Sequence, residues 1–369
     1  MSTSIIHETL PYDNLCNKIK IINDCIHGSI DLTFFAIQII DTKFFQRLGS
    51  LNQLGTCSWV YRDAKHSRFS HSIGTYHLAG MSTTSILTSL DQKLTDKYMS
   101  NISELKKYYM RMYDDKIHPL DKYICELIKI AALCHDIGHG PFSHVFDDYF
   151  LPSLGKNNDY CATHEERSGI ILEKIIKENN DLSCISDDEI SFMKNLINQK
   201  DEHTGFIYQM VSGSLDVDKY DYLMRDIYSI NFSAKIGITR LIHQVRVIDN
   251  QLAYPEQAID DIYNIYQTRY RMHRQVYCHK GVIAVQFAIV ELMILLDDIL
   301  HISDSITDMN KFVDLTDAYI FENIKSIKYF EDKLSNQQQI NYRKACDIVK
   351  SLETRKLYAV IVSVTLKNK

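Results

Sequence analysis

The sequence predicts a mostly α protein with small β additions, and three observations carry that prediction. Apolar residues recur at helical spacing through most of the chain. Glycine and proline are scarce, 13 and 5 in 369 residues. The evenly spaced turn signals of an all-β fold are missing. Hydrophobic content of 45% and charged content of 24% are those of an ordinary globular protein with enough chain for a large core.

Taken in order, residues 21–31 read as a short strand or turn entering the domain. Residues 37–54 carry Ile37, Ile40, Phe44, Phe45, Leu48 and Leu51 at helical spacing, and Gly55 ends that helix. Residues 58–61 are β-like, and a helix then runs from Arg68 through Leu90. Residues 91–118 turn polar, rich in Lys, Tyr and Met, and read as an exposed insertion. A helix over 123–135 puts Ile124, Leu127, Ile128 and Ala131 on its buried stripe. Helices follow at about 164–179, 187–199, 204–212 and 218–228, then a β-like excursion at 244–252 and a long helical stretch at 256–300.

The tail over 310–369 is helical up to a β-branched run at 358–364 that reads as a terminal strand. The longest apolar run, 281–300, is interrupted by Gln286 and Glu291 and closed by Asp297 and Asp298, which makes it a buried or interface helix and not a membrane span. No repeat and no Pro-, Gly- or Ser-rich linker divides the chain. The expected organisation is an N-terminal tail at 1–19, one core at 20–300, and a mostly helical C-terminal segment at 301–369 packing on it.

A net charge of −6 argues against a general nucleic-acid binder and leaves room for a local basic pocket. The nine cysteines show no repeated CxxC spacing, and residues 1–14 contain His, Glu and Asp with no apolar core. The expectation is reduced thiols in an intracellular protein of cytosol or nucleus, neither secreted nor bound to a membrane.

Chemistry concentrates at 133–144, Leu-Cys-His-Asp-Ile-Gly-His-Gly-Pro-Phe-Ser-His. Adjacent His135 and Asp136 can be offered to one metal, and the glycines let backbone and ligand approach. With His71 and Asp218 they make a nitrogen–oxygen ligand set suited to iron, manganese or zinc, with positions left for water or a phosphate oxygen. Each has a plainer reading alone: His71 as a core histidine, Asp218 as a helix N-cap.

The order His71, then His135-Asp136, then Asp218 resembles the H…HD…D pattern of the HD-domain phosphohydrolase superfamily. The flanking text is more particular: Ile22-Asn23-Asp24, Ile26-His27-Gly28, Ile40-Asp41-Thr42, Phe45-Gln46-Arg47-Leu48, Gln53-Leu54-Gly55, Arg68-Phe69, His71-Ser72, Asp216-Val217-Asp218-Lys219 and Asp221-Tyr222. These resemble the deoxynucleoside triphosphate triphosphohydrolases, in particular the catalytic core of the vertebrate sterile-alpha-motif/HD-domain enzyme, over residues 20–360. The resemblance implies an HD-domain helical core. It also implies metal-dependent release of whole triphosphate from 2′-deoxynucleoside 5′-triphosphates, lowering their pools.

By the same resemblance His144 is the catalytic histidine, with Asp147 and Glu165 placed to orient or charge it. A carboxylate beside it would raise its pKa toward that of a useful acid. Phosphate contacts would come from Arg68, His139, His164, Lys219 and Arg269, and sugar contacts from Gln53, Leu54, Tyr222 and Asp226. Tyr222 would pack where a ribose 2′-hydroxyl would sit, and Asp226 would accept from the 3′-hydroxyl. His273 and Tyr277 fall at the base end, where Cys278 replaces a glutamine and leaves the base preference open. The implied cofactor is a divalent metal, with Fe, Mn, Zn and Mg all open, and a second Mg2+ accompanying the triphosphate.

A homo-oligomer, dimer or tetramer, is also implied. Lys20, Asn23, Asp41, Gln46, Val60, Tyr61, Arg240, Lys280 and Arg355 match regulatory nucleotide positions. Gly49 and Ala359 replace an arginine and a lysine there, and the 252–257 loop offers Glu256 where cations are expected. An unpaired carboxylate facing triphosphate opposes binding, so activation by GTP and dNTP is expected to be weakened, altered or absent. Two other readings stand beside this one: an HD phosphohydrolase for another phosphoester, such as a deoxynucleoside monophosphate or oligonucleotide, and a nucleotide sensor or nucleic-acid-binding module without turnover.

Overall fold

A computed structural model of the chain describes residues 11–156, 158–198 and 205–359. Helix α1 (Pro11–Leu15) leads into an antiparallel hairpin of β1 (Lys18–Asp24) and β2 (Gly28–Thr33), with Ile22 opposite Ile30. Helices α2 (Phe34–Ile40), α3 (Lys43–Gln46), α4 (Arg68–Ser89), α5 (Gln92–Met99), α6 (Lys106–Tyr113), α7 (Lys122–Cys134) and the single turn α8 (Leu151–Ser153) follow. Next come α9 (His164–Glu178), α10 (Asp187–Ile197), α11 (Gly205–Ser212), α12 (Val217–Ser229) and α13 (Ile238–Gln244). A second small hairpin, β3 (Arg246–Ile248) and β4 (Gln251–Ala253), precedes α14 (Ile259–Met272), α15 (Lys280–Leu300), α16 (Met309–Phe312), α17 (Asp317–Ile327) and α18 (Asn336–Glu353). The mostly α architecture with small β additions is the one the sequence predicts.

Several local readings change. The helix expected over 37–54 breaks at Asp41-Thr42, because the Thr42 hydroxyl caps a new helix by accepting from the Phe45 N–H. Gly55 opens a 3-10 turn over Gly55–Trp59 instead of ending a helix, so residues 58–61 form no strand. The long stretch over 256–300 is divided at Cys278-His279, where the His279 Nδ1 accepts from the Gly281 N–H and starts α15. Of the expected terminal strand, Tyr358 and Ala359 are irregular, and 360–364 lie outside the described residues. Among the described residues no helix is long and apolar enough to cross a membrane.

Residues 91–118 are not an exposed insertion. Helices α5 and α6 and the 3-10 turn between them bury Tyr98, Met99, Leu105, Tyr108 and Tyr109 in the main core. The tyrosines bury their rings while their hydroxyls find partners, Asp121 for Tyr108 at 2.6 Å and the Pro119 carbonyl for Tyr109 at 3.0 Å. Part of the expected N-terminal tail belongs to the same cluster, since the Tyr12 ring lies 4.4 Å from that of Tyr123; residues 1–10 lie outside the described set.

One continuous core joins Tyr12 to Leu352. Within it α4 packs on both α7 and α12, and these three helices frame the cleft described next. A smaller cluster of Cys57, Ala64, Met272, Val276 and Val282 supports the far end of that cleft.

Candidate active site

Helix α4 brings His71 inward, the C-terminus of α7 presents His135 and Asp136, and the first turn of α12 supplies Asp218. The N-cap of α12 is Asp216, whose carboxylate accepts from the Lys219 N–H, so Asp218 is free to face the histidines. His71 Nε2 lies 3.0 Å from Asp218 Oδ1 and 3.3 Å from His135 Nε2, and His135 Nε2 lies 3.4 Å from Asp218 Oδ1. Two atoms each about 2.1 Å from one ion, and roughly at right or tetrahedral angles, stand about 3.0–3.4 Å apart. The three atoms therefore fit around a single divalent cation.

Each imidazole is held in the tautomer that such a role needs. His71 Nδ1–H donates to Asp221 Oδ2 at 2.8 Å, and His135 Nδ1–H donates to the Ala132 carbonyl at 2.7 Å, leaving both Nε2 lone pairs directed inward. Burial pulls the His71 pKa down, but Asp218 and Asp221 overcome it and push it up to about 10. The surplus of carboxylate calls for positive charge at this point.

Asp136 touches the same cluster, 3.4 Å from both Nε2 atoms, yet it also pairs with Arg68 and lies 3.2 Å from His139 Nε2. It therefore stands between two groups whose ligand atoms converge: His71, His135 and Asp218, and Asp136, His139 and His164.

Sequence reasoning missed the support beneath His71. Asp221 accepts from His27 on the first hairpin at 2.6 Å and from the Arg225 Nε at 2.8 Å, and Arg225 reaches Asp24 at 2.9 Å. This approach of α12 to α4 requires Gly74, where a Cβ would lie 1.8 Å from Asp221 Oδ1. Gly138 has a similar task, since a Cβ there would lie 2.3 Å from the His164 carbonyl oxygen. It admits another helix of the protein, not a ligand as the motif suggested.

A cleft of about 800 Å³ opens over the cluster. Its lining takes in Gln53, Leu54, Arg68, His135, Asp136, His139, His144, His164, Glu165, Asp218, Lys219, Tyr222, Asp226, Arg269, His273 and Tyr277. His71 lies behind this surface, fully buried.

The setting of His144 departs from expectation. Asp147 turns away to pair with Arg167 and with His164 Nδ1, at 3.1 Å for the latter, and Glu165 approaches His164 Nε2 at 3.4 Å. Neither carboxylate orients His144, whose nearest acidic partner is Asp148 at 3.9 Å. Phe142 and Ser143 just before it are left-handed, and a π-helical turn over Phe146–Phe150 follows, so position 147 faces the opposite side. The enclosing cleft, then Arg68 and His164, push the His144 pKa down to about 4, opposite to the expected direction.

Other assigned side chains are also engaged. His139 is buried and stacked on His164 with ring centroids 3.8 Å apart. Burial, Arg68 and His164 hold it well below the usual imidazole pKa, so it meets the cleft as a neutral ring and not as a cation. Arg68 donates to Asp136 and to Ser143 Oγ, Lys219 donates to Asp216 at 2.6 Å, and Arg269 donates to the Tyr222 hydroxyl at 3.1 Å. Asp226 is clasped by His66 at 2.7 Å, a residue sequence reasoning missed, and by the Tyr277 hydroxyl at 2.5 Å.

Of the nine regulatory candidates, Val60 lies under Gly281 beside Lys280, the Tyr61 ring is 6.0 Å from His279, and Arg355 donates to the Trp59 carbonyl. Lys20 and Asn23 lie on β1, Asp41 precedes α3 and Gln46 ends it, and Arg240 on α13 pairs with Asp261. Among the described residues no hydrogen bond or ion pair joins these four places.

Comparison with known proteins resolves the family. The HD domain matches residues 108–226, which include His135, Asp136 and Asp218. The HD domain-containing protein L394 of Acanthamoeba polyphaga mimivirus is 40% identical over 354 residues, covering 93% of this chain and 73% of its own. The chain belongs to the HD-domain family.

Two further relatives of this HD protein carry a named activity. It is 33% identical over 347 residues to the deoxynucleoside triphosphate triphosphohydrolase SAMHD1 homolog of Dictyostelium discoideum, covering 93% of this chain and 60% of that one. It is 30% identical over 383 residues to the deoxynucleoside triphosphate triphosphohydrolase SAMHD1 of Homo sapiens, covering 94% of this chain and 55% of that one. The chain thus spans little more than half the length of these two triphosphohydrolases. An HD domain implies a divalent metal, and the His71, His135 and Asp218 cluster can hold one.

Proposed function

We propose that this HD protein hydrolyses 2′-deoxynucleoside 5′-triphosphates to deoxynucleoside and inorganic triphosphate. The observation that carries the proposal is the joining, in one cleft, of a metal-ligand cluster, the cations Arg68, Lys219 and Arg269, and the Tyr222–Asp226 pair. The named activity of the two triphosphohydrolase relatives supports it.

His71, His135 and Asp218, with Asp136 alongside, would hold the ion, for which iron, manganese or zinc suits the donors. When bound, it supplies Lewis-acid polarisation of the α-phosphoryl group and acidifies the attacking water. The water oxygen bonds to the α-phosphorus and releases a proton to solvent, the bond to the 5′ oxygen breaks, and that oxygen must receive a proton. His144 is the proposed donor, on the cleft side with its imidazole open to ligand.

Arg68, Lys219 and Arg269 give the charge that a triphosphate needs and a monophosphate does not. Asp226 keeps a lone pair on each carboxylate oxygen beyond those used by His66 and Tyr277, so it can still accept from a 3′-hydroxyl. Tyr222, tied to Arg269, would close the space a 2′-hydroxyl requires. Gln53 and Leu54 would meet the sugar, and His273 and Tyr277 the base. Asp147 and Glu165 are reassigned: they would tune His164, and through it the phosphate end. A second Mg2+ would travel with the triphosphate beside Asp136, His139 and His164.

We take the acting species to be a homo-oligomer, with nucleotide activation weakened by Gly49 and Glu256. Incubation with each dNTP, with and without GTP, tests the reading: released triphosphate supports it. Monophosphate with orthophosphate, or no product from a metal-loaded protein, overturns it in favour of the other two readings.

A further inference from the structure

Asp317 opens α17, in the C-terminal segment, and is only 9% exposed. An acidic residue in the first turn of a helix ordinarily faces water and complements the helix's own N-terminal charge. This one turns into the protein. Its Oδ1 accepts from the Phe142 N–H at 2.7 Å and its Oδ2 from the Asn52 N–H at 2.9 Å.

The two backbone groups it holds belong to two segments, distant in sequence, that lie against each other at the cleft. Asn52 directly precedes Gln53 and Leu54, and Phe142 begins the left-handed pair Phe142-Ser143, at φ of 59° and 61°, that directly precedes His144. Left-handed backbone is unfavourable for a bulky residue such as phenylalanine and persists only where its surroundings enforce it. Two further contacts close the same bridge: the Ser143 hydroxyl donates to the Asn52 carbonyl at 2.9 Å and accepts from the Arg68 Nε at 2.8 Å. Burial of Asp317 raises its pKa, and the two N–H donors with Arg47 and Arg68 act against that rise.

We propose that Asp317 is a positioning residue for the reaction: its carboxylate locks the turn that aims His144 and fixes that turn's distance from the Gln53–Leu54 wall. The inference rests on the triphosphohydrolase reading for its effect on rate, and on geometry alone for its effect on the turn. An amide at this position keeps a single acceptor oxygen and must present N–H to one of the two backbone donors. Asp317→Asn therefore breaks one link with almost no change of volume.

The test compares the metal-loaded protein with Asp317→Asn and Asp317→Glu by dNTP hydrolysis, metal content, melting temperature and hydrogen exchange of peptides over 51–55 and 140–146. In Asp317→Asn, kcat is expected to fall about 10- to 100-fold, as for a misaimed group, with KM changed less than about twofold. Metal content should hold, and exchange should quicken in those two segments alone. Asp317→Glu should recover part of kcat.

Unchanged exchange in both segments overturns the proposal, as does loss of kcat only in proportion to lost metal or lost folded protein. If the unsubstituted protein releases no triphosphate, the functional reading fails on its own. The exchange result still decides whether Asp317 holds the turn.

Discussion

At the scale of single residues, the candidate metal cluster joins side chains of distinctive type, two imidazoles and a carboxylate, whose order along the chain made it legible. His71, His135 and Asp218 converge within hydrogen-bonding distance from three helices. The partners of His144 were not legible. Asp147 lies three positions on, a spacing that faces its neighbour in a regular α-helix but not where a π turn begins between them at Phe146. The result is a histidine with its pKa pushed down to about 4 in the free cleft. A donor to the 5′ oxygen must be protonated, and a bound triphosphate opposes the charges of Arg68 and His164 that lower it. The descending limb of kcat, set by the substrate complex, should therefore lie at higher pH than that of kcat/KM, set by the free protein. Coincident limbs, or a His144→Gln protein with both profiles intact, would show that this histidine is not the acid.

At the scale of elements, helix positions followed from apolar periodicity, while the burial of 91–118 did not. Tyrosine and lysine look polar in sequence, yet Tyr98, Tyr108 and Tyr109 bury their rings in α5 and α6. Asp317 left no signal either, since its partners are backbone N–H groups 175 and 265 positions away and any residue type supplies those. The α4–α12 contact shows how tightly elements constrain the site. In Gly74→Ala the new methyl meets Asp221 Oδ1 at 1.8 Å and Arg225 Nη2 at 2.7 Å. Both atoms are tied into one network, so the clash cannot be relieved by a free side-chain end. Overpacking of this kind costs about 1–3 kcal/mol or more, a melting drop of about 1–4 °C or more for a chain of this length, with metal lost as His71 loses its orientation. A protein melting within a degree of the original and fully metal-loaded would refute this account of the contact.

At the scale of the whole molecule, the C-terminal segment is part of the site's framework. Arg47 donates to the Leu315 carbonyl at 2.7 Å and to the His139 carbonyl at 2.6 Å, fastening the region before α17 to the HD turn. The regulatory surface is where sequence resemblance carries least, because its candidate residues lie in four separate places and Gly49 leaves open space around its Cβ position.

The first hairpin adds a different dependence. His27, on the turn between β1 and β2, donates to the same Asp221 that orients His71, and Cys25 on that turn is exposed. Ion binding to a folded cluster and the order of the structure that supports it are linked. The hairpin tip should therefore report metal occupancy from outside the cleft. A fluorophore on Cys25, in a Cys278→Ser background to remove the other exposed thiol, should change anisotropy when a chelator strips the metal and recover on reloading. An anisotropy indifferent to the chelator would sever the hairpin from the metal. A responsive one would let loading be followed in real time without any substrate present.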